Sequence, residues 1–287
     1  MLSSSPRKRQ PVAGSLGVDP AALDLRVPNL KRFQWPKVLA RLPAPQQAIA
    51  DDFVKHWHGV LPARYNAIER FNHTYPLRHL PAADRWCTLE LGAGIGGHLA
   101  FEALDRQDYH CIELREAMAQ EIRARYPCVT TLTADCQERI PYADAYFDRV
   151  VVIHVLEHLP NLPAALDEVH RVLKPDGVLS AVLPCDPGLL YELARKLSAE
   201  RIFRARYHLP YRWFIRREHL NSPAEILELI GQRFELIDRA YFPLKVPVVN
   251  LNLCLGATAR KAPEVDAPGA GWPGGGHATG GRPCRHL

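Results

Sequence analysis

An alternation of strand-like and helix-like segments is the feature that most constrains the fold of this chain. The segments "WCTLELG", "YHCIEL", "VTTLTAD", "FDRVVVIHVL" and "VLSAVLP" are rich in β-branched and other apolar residues, and helical patterns such as "REAMAQEIRARYP" and "LPAALDEVHRVL" lie between them. Strands that alternate with helices predict an α/β fold, in which a parallel sheet carries helices on both faces. Two later strand patterns, "RFELIDRAYFPL" and "PVVNLNLCLGATAR", are close in sequence, so we expect them to pair antiparallel.

The regions on either side of this alternation differ from it in composition. Residues 1–45 are rich in proline, serine and basic residues and predict a flexible arm with at most short ordered pieces. Residues 46–80 have apolar residues at helical spacing and predict cap helices, and residues 81–261 form the main domain. Residues 262–287 are rich in glycine and proline, and we expect this tail to be disordered.

Composition narrows the class of protein and its cellular location. Among the 287 residues, the seven cysteines form no Cys-x-x-Cys pair, which suits a reducing compartment and argues against a cysteine zinc site. The basic N-terminus is followed by no apolar segment of a signal peptide, and no apolar run is long enough to span a bilayer. A net charge of +5 is modest for a dedicated nucleic-acid binder. We therefore expect a cytoplasmic protein without a nucleic-acid partner or a transmembrane segment.

The segment "LELGAGIGGHLA" marks a ligand site at the end of the first strand. Gly92, Gly94 and Gly97 satisfy Gly-x-Gly-x-x-Gly, and Glu113 lies about 20 residues beyond, where a carboxylate can bind ribose hydroxyls. This pattern suits NAD and S-adenosylmethionine equally. Glu90, at the mouth of the glycine loop, would repel a pyrophosphate but attract a cationic methionyl ligand, and so favours S-adenosylmethionine.

At this point the chain resembles the class I S-adenosylmethionine-dependent methyltransferases. The resemblance rests on "LELGAGIGG", "IEL", "TADCQ", "YFDRVVVIHVLEHLPN" and "VLKPDGVL" in that order, and it covers residues 85 to 185 well. It implies a Rossmann-like, doubly wound sheet of seven strands in the order 3-2-1-4-5-7-6, with the last strand antiparallel and a helical cap that includes an insertion over residues 186–222. A second, weaker resemblance is to methyltransferases encoded with bacterial surface-polysaccharide enzymes.

The resemblance also implies roles for individual residues. The methionyl end of the cofactor would lie against Glu90, Gly92, Gly94 and Gly96, the ribose against Glu113, and the adenine edge against Asp135 and the backbone of Cys136. His154 would line the methionyl pocket mainly through its backbone.

The stretch "HVLEH" also matches the His-x-x-Glu-His pattern of some zinc peptidases. That chemistry needs both histidines on one helical face, whereas the β-branched run before His154 predicts a strand and Pro160 follows closely. We therefore expect no metal. In related small-molecule methyltransferases this pair faces the acceptor, so Glu157 and His158 are the candidate catalytic residues, with a neutral imidazole as general base. A packing role for His158 remains the alternative.

The insertion carries eight cations and five interleaved aromatics between Arg195 and Arg217. Such a segment suits a polar small-molecule or carrier-linked sugar acceptor, and equally a helix with a solvated basic face. We therefore expect O-methylation of a small molecule or sugar. Two alternatives stay open, namely a metal-dependent quinone or natural-product O-methyltransferase and a non-catalytic module that only binds the cofactor. The oligomeric state is unknown.

Overall fold

The computed structural model describes residues 23–64 and 66–262. The expectations for residues 1–22 and for the tail over 263–287 lie outside the described residues.

Seven strands form one sheet in the order β3-β2-β1-β4-β5-β7-β6. The strands are β1 (Trp86–Leu91), β2 (Gln107–Glu113), β3 (Thr130–Thr133), β4 (Phe147–Ile153), β5 (Leu173–Pro184), β6 (Glu235–Phe242) and β7 (Cys254–Arg260). The pairs from β3 to β5 are parallel, and β7 runs antiparallel to both β5 and β6. The predicted Rossmann-like topology is confirmed, including the antiparallel last strand.

Eight α-helices surround the described sheet. They are α1 (Ala44–Arg64), α2 (Asn66–Thr74), α3 (Glu116–Arg125), α4 (Leu162–Val172), α5 (Leu189–Leu197), α6 (Ala199–Tyr207), α7 (Arg212–Glu218) and α8 (Pro223–Gly231). Every residue of β1 is buried, as expected for a strand covered on both faces. The main core lies between the central strands and helices α4 and α8.

The segment "GHLAFEALD" after the glycine loop predicts a helix, yet the crossover from β1 to β2 contains no α-helix. The segment forms two short 3₁₀ turns, His98–Phe101 and Leu104–Arg106. The chain must run back along β1, about 20 Å for six residues of strand, whereas an α-helix of about nine residues spans only about 14 Å. An ion pair from Arg149 to the buried carboxylate of Glu102 (2.8 Å) holds the extended path in place, and the imidazole of His98, whose pKa is lowered by burial, lies 2.7 Å from the same carboxylate.

Residues 23–43 contain no helix or strand, yet contacts with the domain hold them in place. The ammonium group of Lys37 is buried and lies 2.6 Å from a carboxylate oxygen of Glu225, which also accepts a hydrogen bond from the Phe33 backbone. The Trp35 indole donates to Asn221 at 2.9 Å. Residues 23–43 are therefore held against the domain and differ from the expected flexible arm. The sequence did not reveal this, because the side chains that make these contacts are spaced without helical or strand periodicity.

The inserted segment forms helices α5, α6 and α7, and it packs against α1. The five aromatic residues between Arg195 and Arg217 are buried together with Phe53 of α1. They form the interior of this cap, a cluster of Phe53, Phe203, Tyr207, Tyr211, Trp213 and Phe214. The sequence leaves open whether these rings face an acceptor, and the structure shows that they pack against each other instead. Among the described helices, none is both long and apolar enough to cross a membrane.

Candidate active site

The glycine loop follows β1 and has the backbone geometry that the sequence requires. Gly92, Gly94 and Gly96 have φ angles of +65°, +57° and +79°, in the region that favours glycine. A Cβ atom at Gly92 would lie 2.4 Å from Val155, so this turn lies tightly against the loop after β4. A Cβ atom at Gly94 would meet nothing within 4 Å. The open space at Gly94 is where a ligand can approach the backbone.

Glu113 lies beside this loop. One of its carboxylate oxygens accepts a hydrogen bond from the Gly94 backbone N–H at 2.8 Å, and the other accepts from the Arg115 N–H at 2.9 Å. The parallel pairing of β1 with β2 places the carboxyl ends of both strands at the same edge. The fold therefore places the predicted ribose carboxylate beside the backbone amides of the glycine loop.

Glu90 lies beneath the loop, almost fully buried at 3% exposure. Burial raises the pKa of its carboxyl group to about 8, although the hydroxyl group of Tyr109 donates to it at 3.0 Å. Without a ligand this group is therefore largely protonated at pH 7. The attraction between Glu90 and a cationic methionyl ligand, inferred from the sequence, therefore requires that the ligand favour loss of this proton on binding.

Asp135 and Cys136 follow β3 at the same edge of the sheet. The carboxylate of Asp135 accepts hydrogen bonds from the backbone N–H of Gln137 at 2.9 Å and from its side-chain amide at 3.1 Å. Gln137 in turn accepts from the Asn161 backbone at 2.7 Å, which connects this turn to the segment beyond β4. Burial raises the pKa of the Cys136 thiol to about 12, so this thiol stays protonated. Sequence reasoning missed Gln137, which holds the turn.

His154 lies at the tip of β4, as expected, with a left-handed φ of +52°. His158 ends a separate 3₁₀ turn, Leu156–His158, so the two histidines do not share a helical face. This geometry agrees with the rejection of a zinc peptidase site. Val155, between them, contacts Gly92, so this loop adjoins the glycine loop.

Glu157 is buried at 1% exposure and lies between histidines. Its Oε1 atom is 3.3 Å from His154 Nδ1 and 3.7 Å from His158 Nε2. Burial would raise the pKa of this carboxyl group, but the hydrogen bond with His154 and the nearby imidazoles of His158 and His219 lower it to about 2. Glu157 is therefore an anion at pH 7.

His158 meets the requirement for a base. Its side chain is 36% exposed, and burial of the rest lowers its pKa, so the imidazole is neutral near pH 7. Its Nδ1 atom is 3.7 Å from the carboxylate of Glu218 in α7. A partly exposed neutral imidazole beside an anion can accept a proton from a bound hydroxyl group.

The cap contributes two residues that sequence reasoning missed. His219, just after α7, lies with its Nδ1 atom 2.8 Å from the carboxylate of Asp186, and its ring meets that of His158 edge to face at 5.3 Å. Asp186 follows β5 directly, so its position at the carboxyl edge could have been inferred from the sequence. The position of His219 could not, because it depends on the path of the cap.

Comparison with known proteins bears on both the fold and the site. Residues 89–181 match the model of a methyltransferase domain family. A malonyl-[acyl-carrier protein] O-methyltransferase of Halorhodospira halophila is 35% identical over 127 residues, which is 42% of this chain and 41% of that protein. The mitochondrial arginine-hydroxylase NDUFAF5 of Mus musculus is 31% identical over 206 residues, 69% of this chain and 54% of that protein.

Solved structures show the same fold. A possible histamine N-methyltransferase of Thermotoga maritima superposes with a TM-score of 0.55 at 17% identity and covers 75% of this chain and 98% of that one. A protein of Pyrococcus horikoshii superposes with a TM-score of 0.54 at 18% identity, covering 72% and 98% of the two chains.

The strand order and the glycine loop are those of the class I S-adenosylmethionine-dependent methyltransferase fold, and residues 89–181 match a methyltransferase domain. The cofactor is accordingly S-adenosylmethionine, which Glu90, the glycine loop and Glu113 were predicted to bind. The curated relatives named above are matched over only about half their length or less, 54% and 41%. The resemblance to surface-polysaccharide methyltransferases stays a prediction.

Proposed function

We propose that the protein transfers the methyl group of S-adenosylmethionine to an oxygen atom of a polar small-molecule or carrier-linked acceptor, such as a sugar. The observation that carries this proposal is the position of His158. It is a neutral, partly exposed imidazole beside the ionised Glu157, on a loop whose Val155 contacts Gly92 of the cofactor loop.

The proposed reaction is a direct substitution. The acceptor oxygen attacks the methyl carbon, the bond from that carbon to the sulfonium sulfur breaks, and S-adenosylhomocysteine is the leaving group. The hydroxyl proton passes to His158. The main contribution of the protein is to align the two reactants and exclude water, and the base adds about 10²-fold or more.

Two arginines near His158 support the proposal of a polar acceptor. Arg195 and Arg216 both lie close enough to Asp186 to lower the pKa of its carboxyl group, after the larger effects of burial, which raises it, and of His219, which lowers it. Arg216 lies on the exposed side of α7, which packs against the turn containing His158. An acceptor bearing a phosphate or carboxylate would meet these guanidinium groups. The name of the Halorhodospira halophila relative, which is similar over 42% of this chain, gives a carrier-linked acceptor for that protein.

The test is the turnover of a His158→Ala variant with a panel of hydroxylated acceptors, including sugar phosphates and carrier-linked acyl groups. We expect turnover to fall about 10²-fold while S-adenosylmethionine affinity is unchanged, the usual size of a general-base contribution. Added imidazole should restore part of the activity, which a packing role would not allow. His56→Ala, on α1, is the matched control and should retain full activity.

Unchanged turnover in His158→Ala, with methyl transfer rate-limiting, would remove His158 from the mechanism. Tight cofactor binding by the wild-type protein without turnover of any acceptor in the panel would favour the non-catalytic binding module.

One cluster favours the metal-dependent alternative as a second candidate. Glu157, His158 and His219 each offer a ligand atom, and these atoms lie within 4.8 Å of one another. Glu157 Oε2 is buried and has no hydrogen-bond partner among the described residues, while Asp186 engages Nδ1 of His219 and leaves its Nε2 available. Two imidazoles and a carboxylate fit a divalent transition metal. When bound, such an ion would lower the pKa of an acceptor hydroxyl group.

Two measurements separate the candidates. Calorimetry with Co²⁺ or Zn²⁺ should show a site that is lost in His219→Ala if the second candidate is right, whereas His79→Ala, a surface histidine, should keep it. If chelation by EDTA leaves turnover unchanged and no metal binds, the base mechanism alone stands.

A further inference from the structure

Helix α5 turns its apolar side towards solvent. Leu189, Leu193 and Leu197 lie four residues apart, on one side of the helix, and are 70%, 54% and 67% exposed. No residue of α5 is buried. An amphipathic helix at the surface of a domain ordinarily directs such a stripe into the core. These three leucines instead form an apolar surface outside it.

The loop between β6 and β7 continues this surface. Leu244, Val246 and Leu251 are 55%, 38% and 44% exposed, and the turn containing Leu251, Val249–Leu251, packs against α5. The side chain of Asn252 fixes the loop, because it accepts a hydrogen bond from the Leu244 N–H and donates to the Val246 carbonyl, both at 2.9 Å. Because the loop conformation is fixed, these side chains form a stable part of the exposed apolar surface. We call the six residues Leu189, Leu193, Leu197, Leu244, Val246 and Leu251 the apolar rim.

Positive charge flanks the apolar rim. Lys196 is 58% exposed on α5, and Lys245 is exposed between two rim residues of the loop. Glu192 is the single acidic residue of α5, and it is paired with Arg195 at 3.7 Å and Lys196 at 3.6 Å. Arg204, on the next helix, is 66% exposed. Leucines beside lysines, with little free negative charge, are the pattern of helices that lie in a membrane interface.

We propose that the apolar rim docks the protein on an anionic lipid surface. The leucines would enter the boundary between headgroups and acyl chains, and the flanking lysines would meet lipid phosphates. A second copy of the chain fits less well, because a two-fold contact would bring the same lysines together. The terminal segments also fit less well. Residues 1–22 carry Arg7, Lys8 and Arg9, and residues 263–287 offer only Val265, Trp272 and Leu287 as large apolar side chains.

The location of the apolar rim gives docking a consequence. Pro184 at the end of β5 pairs with Cys254 at the start of β7, so the loop before β7 lies at the carboxyl edge of the sheet. The glycine loop after β1 lies at the same edge. Docking would direct this edge towards the lipid, which favours an acceptor presented at the membrane surface. Only this last step depends on the proposed methyl transfer.

The test is cosedimentation of the full chain with vesicles, without cofactor or acceptor. Vesicles of phosphatidylcholine containing about 30% phosphatidylglycerol are compared with phosphatidylcholine alone, because anionic lipid attracts exposed lysines. We expect binding to the anionic vesicles, reduced about tenfold or more in a Leu193→Gln, Leu197→Gln variant, since each leucine loses favourable burial in the interface. Lys196→Glu should reduce binding several-fold, and salt should weaken it.

Leu80→Gln is the matched control, because Leu80 is 42% exposed and lies outside the apolar rim. It should bind as the wild-type protein does. The exposed positions of the variants should leave the circular dichroism spectrum and Tm unchanged. The proposal is overturned if the wild-type protein does not bind anionic vesicles at low salt, or if the double glutamine variant binds equally well. It is also overturned if the apolar rim holds a dimer together. Size-exclusion chromatography would then show a dimer for the wild-type protein and a monomer for the double glutamine variant. A protein that binds vesicles but transfers no methyl group would refute the proposed function and leave the docking intact.

Discussion

The sheet half of the molecule and the inserted cap differ in how far the place of a residue in the sequence determines its surroundings in the fold. In the sheet, Glu90 and Glu113 lie at strand ends, where parallel pairing places them beside the glycine loop whatever surrounds them. In the cap, Phe203 and Tyr211 are buried against α1, and the leucines of α5 are exposed. The position of a residue at a strand end specifies its surroundings. The position of a residue in a short helix does not, because a helix can turn either side inward.

The largest expected effect tests whether the cap has a core of its own. Phe203 is fully buried against the rings of Phe53 and Phe214, so Phe203→Ala should lower the free energy of unfolding by about 3 to 5 kcal/mol. Leu193→Ala, on the exposed side of α5, should change it by less than about 0.5 kcal/mol. Urea denaturation followed by circular dichroism measures both values. Equal effects would contradict the distinction between the inner and outer sides of the cap.

The fold was predictable from the sequence because each strand carried its own signal. The β-branched run before His154, the glycines after Leu91 and the helical spacing of α4 each indicate one structure without reference to distant residues. The crossover after the glycine loop was the exception, since its length and the burial of Glu102 with Arg149 and His98 decide its conformation. The contact between Glu102 and Arg149 joins residues 47 positions apart, so no local pattern reveals it.

The candidate site was predictable only in part. The structure brings together the residues of β1, β2 and the glycine loop for which cofactor contacts were predicted, and His154 lies at the strand tip. The position of Asp186 after β5 could have been inferred, but that of His219 could not, because its contact with Asp186 joins residues 33 positions apart across the cap. The proposed acceptor side of the site is built from such long-range contacts, so single motifs do not reveal it.

The next largest effect concerns the sheet half, which carries the predicted cofactor site. Glu113→Ala should weaken S-adenosylmethionine binding by about 1.5 to 3 kcal/mol, the scale for losing a charged hydrogen-bonding partner, because it removes the carboxylate predicted to bind the ribose. Calorimetry measures this value. Glu138→Ala, an exposed carboxylate beyond the Asp135 turn, is the control and should bind normally. If Glu113→Ala binds the cofactor as the wild-type protein does, the ribose role assigned to Glu113 is wrong.

An effect that is smaller for each pH unit concerns the buried Glu90. Its pKa is raised from 4.5 to about 8 in the folded protein, so between these values the unfolded chain loses this proton and the folded protein keeps it. This group therefore lowers the free energy of unfolding as pH rises from 4.5 to 8, by on the order of 1 kcal/mol per pH unit at most.

The ligand should reverse the direction of that pH dependence. A cationic cofactor favours the ionised carboxylate, so S-adenosylmethionine affinity should rise with pH up to about 8, with release of a proton on binding at pH 7. Glu90→Gln should abolish both trends. Calorimetry in two buffers of different ionisation enthalpy measures the proton release. Its absence in the wild-type protein would show that the cofactor does not ionise Glu90.

The smallest effect tests where the stable part of the chain ends. The ammonium group of Lys261 donates to the carbonyl oxygens of His170 and Leu173, at 2.8 and 2.9 Å, and so links the end of β7 to the junction of α4 and β5. A chain that ends after Ala262 keeps these bonds, and the residues it loses are mostly glycine, proline and polar residues with little apolar surface to bury. We therefore expect the truncated chain to retain its Tm within about 1 °C and its full cofactor affinity. Lys261→Ala in the full-length chain should lower the Tm by several degrees, since one buried and one partly buried carbonyl group lose a charged donor. Differential scanning fluorimetry compares the two variants. A loss of several degrees in the truncated chain would mean that residues 263–287 contribute to the stability of the sheet half, and the contrast with Lys261→Ala would then disappear.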